Sequence, residues 1–121
     1  MNDRKGGGLM VLFNEAKVEV DKLPSAHKDV LKVRVRINGF QLIMILVYFS
    51  VNDPKRNENI RMVVEEELGK VSEGCIVLGD INGHGDFFGQ QKLDKNGETI
   101  IEWMTKYNLT LLNGLMESEG A

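Results

Sequence analysis

The chain has 121 residues, of which 42% are hydrophobic and 27% are charged, and its formal net charge is −3. This composition is typical of one globular unit or of a piece of a larger one, and it argues against a wholly basic nucleic-acid-binding protein. The single cysteine, Cys75, excludes an intramolecular disulfide, and neither histidine has the spacing of a structural zinc site. No apolar run reaches the ~18 residues of a membrane span. We therefore expect a single domain over residues 1–121, without a membrane partner, in the nucleus or cytoplasm.

Charge is unevenly distributed along the chain. Residues 1–61 contain 11 Lys and Arg against 7 Asp and Glu, whereas residues 62–121 contain 4 against 11. A basic half beside an acidic half would suit a phosphate-binding surface next to a carboxylate site that holds a cation. Charge counts alone favour the simpler alternative, a mixed solvated surface.

The first half of the chain predicts strands. A short apolar run at residues 9–13 is typical of a buried strand. Residues 31–37 alternate strictly, which places Lys32, Arg34 and Arg36 on one face; we expect that face to be solvated, although it could follow a nucleic-acid backbone. Asn38 and Gly39 form a strong hairpin signal. The partner strand, residues 40–48, is apolar almost throughout and predicts cover on both faces of a sheet.

The second half predicts helices around one more strand. Ile60, Val63, Val64 and Leu68 have the spacing of an amphipathic helix, with residues 65–67 on its solvated side. Residues 75–78 form a buried strand that stops before Asp80. A glycine-rich loop at residues 82–97 leads to a helix at residues 98–107, which buries Trp103, and to a strand at residues 109–112.

The end of the strand at residues 75–78 is the best candidate for chemistry. Asp80 and Asn82 leave it on a turn between Gly79 and Gly83, so the strand fixes their position and the loop exposes them. Being two residues apart, they point the same way if the extended conformation continues. A carboxylate and an amide would then converge on one water molecule or phosphate.

Three segments carry a resemblance to a known family. Residues 79–84, Gly-Asp-Ile-Asn-Gly-His, resemble the Gly-Asp-Phe-Asn motif of the endonuclease/exonuclease/phosphatase superfamily. Tyr48 resembles the tyrosine of that superfamily's Tyr-x-Pro-Asn strand end, with Ser50 at the proline and Asn52 one residue late, so Asn52 is not assigned. Residues 96–97, the helix with Trp103 and residues 109–113 resemble endonucleases of non-LTR retrotransposons and their craniofacial-development-protein-like relatives.

The resemblance implies a four-layer α/β sandwich, with mixed sheets flanked by helices, that hydrolyses DNA phosphodiesters with Mg²⁺ or Mn²⁺. Asp80 would orient or deprotonate the attacking water and Asn82 would hold the metal-bound phosphate, both as metal ligands. Tyr48 would donate a hydrogen bond to the phosphate. The superfamily's metal-binding glutamate motif and its Ser-Asp-His segment match nothing here, and neither Glu15 nor His84 lies in them. We therefore expect a central fragment, inactive or nearly so, of a DNA-nicking parent domain.

Three alternatives remain open from the sequence. The chain could be a non-catalytic remnant that acts as an interaction module and self-associates through an uncovered sheet. It could be a phosphatase-type relative within the same superfamily. Finally, residues 80–91 partly match an EF-hand-like calcium loop, but Gln91 cannot provide the bidentate carboxylate of that loop's last position, and the segment follows a strand.

Overall fold

The computed structural model describes residues 9–71, 73–81 and 94–112. In chain order, its elements are β1 (Glu19–Leu23), β2 (Val30–Ile37), β3 (Phe40–Tyr48), α1 (Pro54–Lys70), β4 (Gly74–Asp80) and α2 (Lys95–Tyr107). The chain divides into two compact units, Met1–Asp80 and Ile81–Ala121.

The first unit contains a four-stranded mixed sheet in the order β1-β2-β3-β4. The first three strands are antiparallel, and β4 lies parallel to β3. The predicted hairpin between β2 and β3 is confirmed, since Asn38 and Gly39 have φ values of 49° and 85°. A two-residue turn with both φ angles positive matches the twist of the strands that it joins.

Much of the core of this unit lies between one face of the sheet and α1, and Val33 and Val35 are buried on the other face. Ile43, Ile45 and Val47 of β3 are at most 1% exposed. The predicted apolar stripe of the helix is confirmed, because Ile60, Val64 and Leu68 are all buried. The helix begins where expected from its sequence: the Asp53 carboxylate accepts a hydrogen bond from the Arg56 N–H at 3.2 Å, and Pro54 occupies the first turn.

The expected solvated positions of Lys32 and Glu67 are wrong. Lys32 is the register partner of Ile45, which places it on the face that α1 covers. Its ammonium lies 3.0 Å from the Glu67 carboxylate, and the two side chains are only 12% and 11% exposed. The physical reason is topological: β2 is an interior strand, so its polar face also packs against another element. Arg34 and Arg36 lie further out, with acidic partners at Glu73 and Asp21.

The strand predicted at residues 9–13 is also absent from the structure. That segment is irregular, and Met10 and Leu12 are 71% and 86% exposed. The edge of the sheet beside β2 is instead occupied by β1, which the sequence analysis missed. Charged residues interrupt β1, so it has no apolar alternation, and its hydrogen bonds to β2 determine its conformation.

The second unit contains α2, which starts at residue 95 instead of 98. The Asp94 side chain caps it by accepting a hydrogen bond from the Gly97 N–H at 2.8 Å. Asn108, in the left-handed conformation, ends it. Trp103 is buried, as expected, whereas residues 109–111 do not form the predicted strand. Most of the predicted loop at residues 82–97, and with it the rest of the EF-hand-like segment after Ile81, lies outside the described residues.

Candidate active site

Tyr48 and Asp80 meet at the carboxyl ends of two parallel strands. They are register partners in the pairing of β3 with β4, and the Phe49 N–H donates a hydrogen bond to the Asp80 carbonyl at 2.8 Å. Paired residues of adjacent strands lie about 5 Å apart and point to the same face. For this pair it is the face opposite α1. Tyr48 is 40% exposed and Asp80 is also exposed, so both side chains can reach a ligand in solution.

The structure therefore brings together two of the three candidate site residues. Asn82 and the following Gly83 and His84 lie outside the described residues. Asn52, which the motif left unassigned, is exposed, and its N–H donates to the Ser50 hydroxyl at 3.2 Å. This contact gives Asn52 a local role in the loop after β3.

Gly79 allows β4 to approach β3 closely just before Asp80. Its φ angle is +135°, a conformation that residues with a Cβ rarely adopt. A Cβ atom there would overlap the carbonyl oxygen of Val47 and lie 2.9 Å from its nitrogen. The glycine of the motif is thus required by sterics, and it determines where Asp80 leaves the sheet.

A buried ion pair supports the backbone of Tyr48. The Tyr48 N–H donates to the carbonyl of Asp29, the residue before β2, at 3.1 Å. The Asp29 carboxylate, which is almost fully buried, forms an ion pair with Arg56 in the first turn of α1. The Asp29 N–H donates to Nδ1 of His27 at 3.0 Å. Burial, together with the charges of Arg56 and Lys28, lowers the pKa of His27, in agreement with its role as a neutral acceptor.

A second contact from α1 holds Ser50, two residues after the end of β3. The Asn57 side chain accepts a hydrogen bond from the Ser50 N–H and donates one to the Ser50 carbonyl, each at 2.8 Å. No sequence pattern indicates either Asn57 or the pair of Asp29 and Arg56. These partners are 7 and 27 residues apart, and no local motif links them.

The described residues supply only part of the ligand set that a divalent cation needs. Asp80 offers an exposed carboxylate, the oxygen ligand that Mg²⁺ prefers. No group of three or more His, Cys, Asp or Glu residues within the described ranges could hold a metal ion. Asp80 fits such a site as one ligand that needs others.

Within the described residues, no helix is long and apolar enough to cross a membrane.

Comparison with known proteins identifies a family and a similar structure. Residues 42–119 match the family described as endonuclease-reverse transcriptase. The endonuclease domain of TRAS1, a telomere-specific non-LTR retrotransposon, has a similar structure, with a TM-score of 0.65 and 18% sequence identity over 78% of this chain. The chain spans 44% of the length of that domain. The curated proteins contain no match. The similarity confirms the expected α/β fold with a mixed sheet.

Proposed function

We propose, from the premise that this chain belongs to the endonuclease-reverse transcriptase family, that its parent domain hydrolyses phosphodiester bonds in DNA. The observation that carries the proposal is the register pairing of Tyr48 with Asp80. It puts an acidic side chain and a phenol side by side on one face, at the end of two strands. A hydrogen-bond acceptor for water and a donor for a phosphate oxygen are the two groups that such a hydrolysis needs.

In the proposed mechanism, the Asp80 carboxylate accepts a proton or a hydrogen bond from the water that attacks phosphorus. The bond from phosphorus to the leaving sugar oxygen breaks as the new P–O bond forms, and the leaving oxygen takes a proton from solvent. The Tyr48 hydroxyl donates to a non-bridging phosphate oxygen and stabilises the charge that builds there. Asn82 is the third member of the proposed site. The sheet fixes the backbones of Tyr48 and Asp80, so the positions from which their side chains extend are set before the substrate binds.

Mg²⁺, or Mn²⁺ in its place, is the proposed cofactor, with Asp80 and Asn82 among its ligands. When bound, such an ion neutralises charge on the phosphoryl oxygens. The parent domain would supply the remaining ligands. For this reason we propose that residues 1–121 alone bind the metal weakly and nick DNA slowly or not at all.

A metal-binding experiment tests the site without requiring turnover. In an NMR titration with Mn²⁺, the amide signals of Tyr48 and Asp80 should broaden first, since paramagnetic relaxation falls steeply with distance. Asp80→Ala should remove this effect. Glu19→Ala is the matched control, because Glu19 is also an exposed acidic residue but lies at the opposite end of the sheet. Equal broadening in wild type and Asp80→Ala would reject Asp80 as a ligand.

A nicking assay on supercoiled plasmid with Mg²⁺ tests the proposed inactivity. We expect no nicking by the wild-type chain above that of Asp80→Ala. Nicking that disappears in Asp80→Ala and survives in Glu15→Ala would show that the chain is competent on its own. That result would refute the proposed inactivity and support the proposed chemistry.

A second candidate function is a non-catalytic interaction module that pairs with another copy of this chain. The observation in its favour is the face of the sheet opposite α1, where Ile76 and Leu78 are 48% and 38% exposed. Exposed apolar patches of this kind promote association. A monomer in sedimentation velocity at high concentration would exclude this candidate, and a dimer that Ile76→Lys dissociates would favour it. The phosphatase-type alternative is less favoured, because the matching family is an endonuclease family.

Two parts of the proposal follow from the chemistry of the substrate. DNA is the proposed partner of the parent domain, and Lys28, exposed directly before the Asp29 that binds Tyr48, is a candidate contact to its backbone. An intracellular location, in the nucleus or the cytoplasm, belongs to the same proposal.

A further inference from the structure

Three consecutive residues at the end of β3 are each held by a different element. The Tyr48 N–H donates to the carbonyl of Asp29, just before β2, and the Phe49 N–H donates to the carbonyl of Asp80, at the end of β4. Ser50 bonds to Asn57 in α1 through both its N–H and its carbonyl. The segment that carries Tyr48 is therefore fixed from three directions.

Asn57 differs from the other two attachments because a side chain makes it. Its amide oxygen and nitrogen both bind the same residue, so the amide plane fixes the orientation of Ser50 as well as its distance. Asn57 is 9% exposed, and its partners are thus shielded from competing water. The helix that presents it is anchored to the sheet by two ion pairs, Arg56 with Asp29 and Lys32 with Glu67.

We propose that Asn57 is a positioning residue that keeps Tyr48 in register with Asp80. This inference rests on the proposed function, in which those two side chains act on one phosphodiester. Without Asn57, the two hydrogen bonds that join Ser50 to α1 would be lost, two residues after Tyr48 at the point where β3 ends. A displacement of about 1 Å at a catalytic group can cost about a hundredfold in rate, so a restraint on the backbone here matters to the chemistry.

The chemical identity of residue 57 is part of the inference. Aspartate at this position would still accept from the Ser50 N–H but could not donate to the Ser50 carbonyl. Alanine would lose both bonds. In Asn57→Asp, the second carboxylate oxygen would face the Ser50 carbonyl oxygen, and both are acceptors, so this variant should also weaken the restraint although it keeps the size of the side chain.

Amide hydrogen exchange measured by NMR on the whole chain tests this restraint. The informative probes are the N–H groups of Tyr48 and Phe49, since neither bonds to residue 57. Their exchange rates are divided by that of Ile45, in the middle of β3, which removes any change in global stability. In Asn57→Ala this ratio should rise about tenfold, and in Asn57→Asp it should rise as well, because both bonds to Ser50 are lost in the first variant and the bond to its carbonyl is lost in the second.

Asn59→Ala is the matched control, because Asn59 lies on the same helix and is exposed. It should leave the ratio unchanged. An unchanged ratio in Asn57→Ala would overturn the proposal, since Asn57 would then contribute only to overall stability.

The Mn²⁺ titration of Asn57→Ala separates this inference from the proposed function. If Asn57 positions Tyr48, the ion should still broaden Asp80 but should broaden Tyr48 less than in the wild type. The same broadening at both residues as in the wild type would count against the positioning role. If Asp80→Ala leaves the wild-type broadening intact, the proposed site fails, while the exchange result still decides whether Asn57 restrains the strand end.

Discussion

Replacement of Gly79 by alanine should strongly destabilise the first unit. The φ angle of +135° disfavours any residue with a Cβ, and such a conformation costs about 1–3 kcal/mol. The new Cβ would also overlap the Val47 carbonyl oxygen, which belongs to the backbone and cannot rotate away. Relief of that overlap must move one strand, at a cost of about 1–3 kcal/mol in a packed structure. We expect a total loss of roughly 2–6 kcal/mol from these two effects.

Gly74→Ala provides the matched control in the same strand. A Cβ at Gly74 meets nothing within 4 Å, and its φ angle is not positive. We therefore expect a change within about 0.5 kcal/mol for Gly74→Ala. Urea denaturation followed by circular dichroism measures both. If Gly79→Ala matched the wild type as closely as Gly74→Ala does, the inferred contact between β4 and β3 would be wrong.

Two further predictions concern buried charges in the same unit. Lys32→Met should lower the free energy of unfolding by about 3 kcal/mol, because it leaves the Glu67 carboxylate buried without its close cation. The double variant, Lys32→Met with Glu67→Leu, should recover most of this loss. Urea denaturation measures both. The lowered pKa of His27 predicts how the free energy of unfolding changes with pH. Between the ordinary pKa of 6.5 and the lower folded-state pKa, the unfolded chain binds more protons than the folded chain. The stabilisation is therefore complete above pH 6.5 and declines as the pH falls through this range. His27→Asn should flatten that part of a pH series of unfolding experiments, and a slope equal to that of the wild type would contradict this assignment.

The fold could be predicted from the sequence where local patterns agree with tertiary structure. The hairpin at Asn38 and Gly39 depends on backbone preferences within a few residues, and β3 has an apolar pattern that is typical of a buried strand. The charged strand β1 and the irregular segment at residues 9–13 show the opposite case. The conformation of each segment depends on whether it pairs with the edge of β2. In the structure β1 makes this pairing and residues 9–13 do not.

The same distinction applies to the candidate site, where the sequence predicts the residues but not their pairing. Tyr48 and Asp80 could be predicted as candidate residues because each ends an apolar strand within a short motif. Their pairing could not be read from either motif, since it depends on β4 lying parallel to β3. The buried pair of Lys32 and Glu67 was missed for a related reason: alternation assigns residues to faces but does not say which face a helix will cover.

The residues that hold the site are chemically ordinary, and this explains why a motif cannot reveal them. Asn57 and Arg56 occupy the first turns of a helix whose sequence shows only an amphipathic pattern. Their contacts depend on the turn after β3. This turn brings the start of α1 back to the end of the sheet where Tyr48, Ser50 and Asp29 lie. In the proposed function the motif residues are the reacting groups, and their placement depends on contacts made by the helix. It follows that a chain with the Asp80 motif intact and Asn57 replaced would keep the sequence signature of the site while losing part of its geometry.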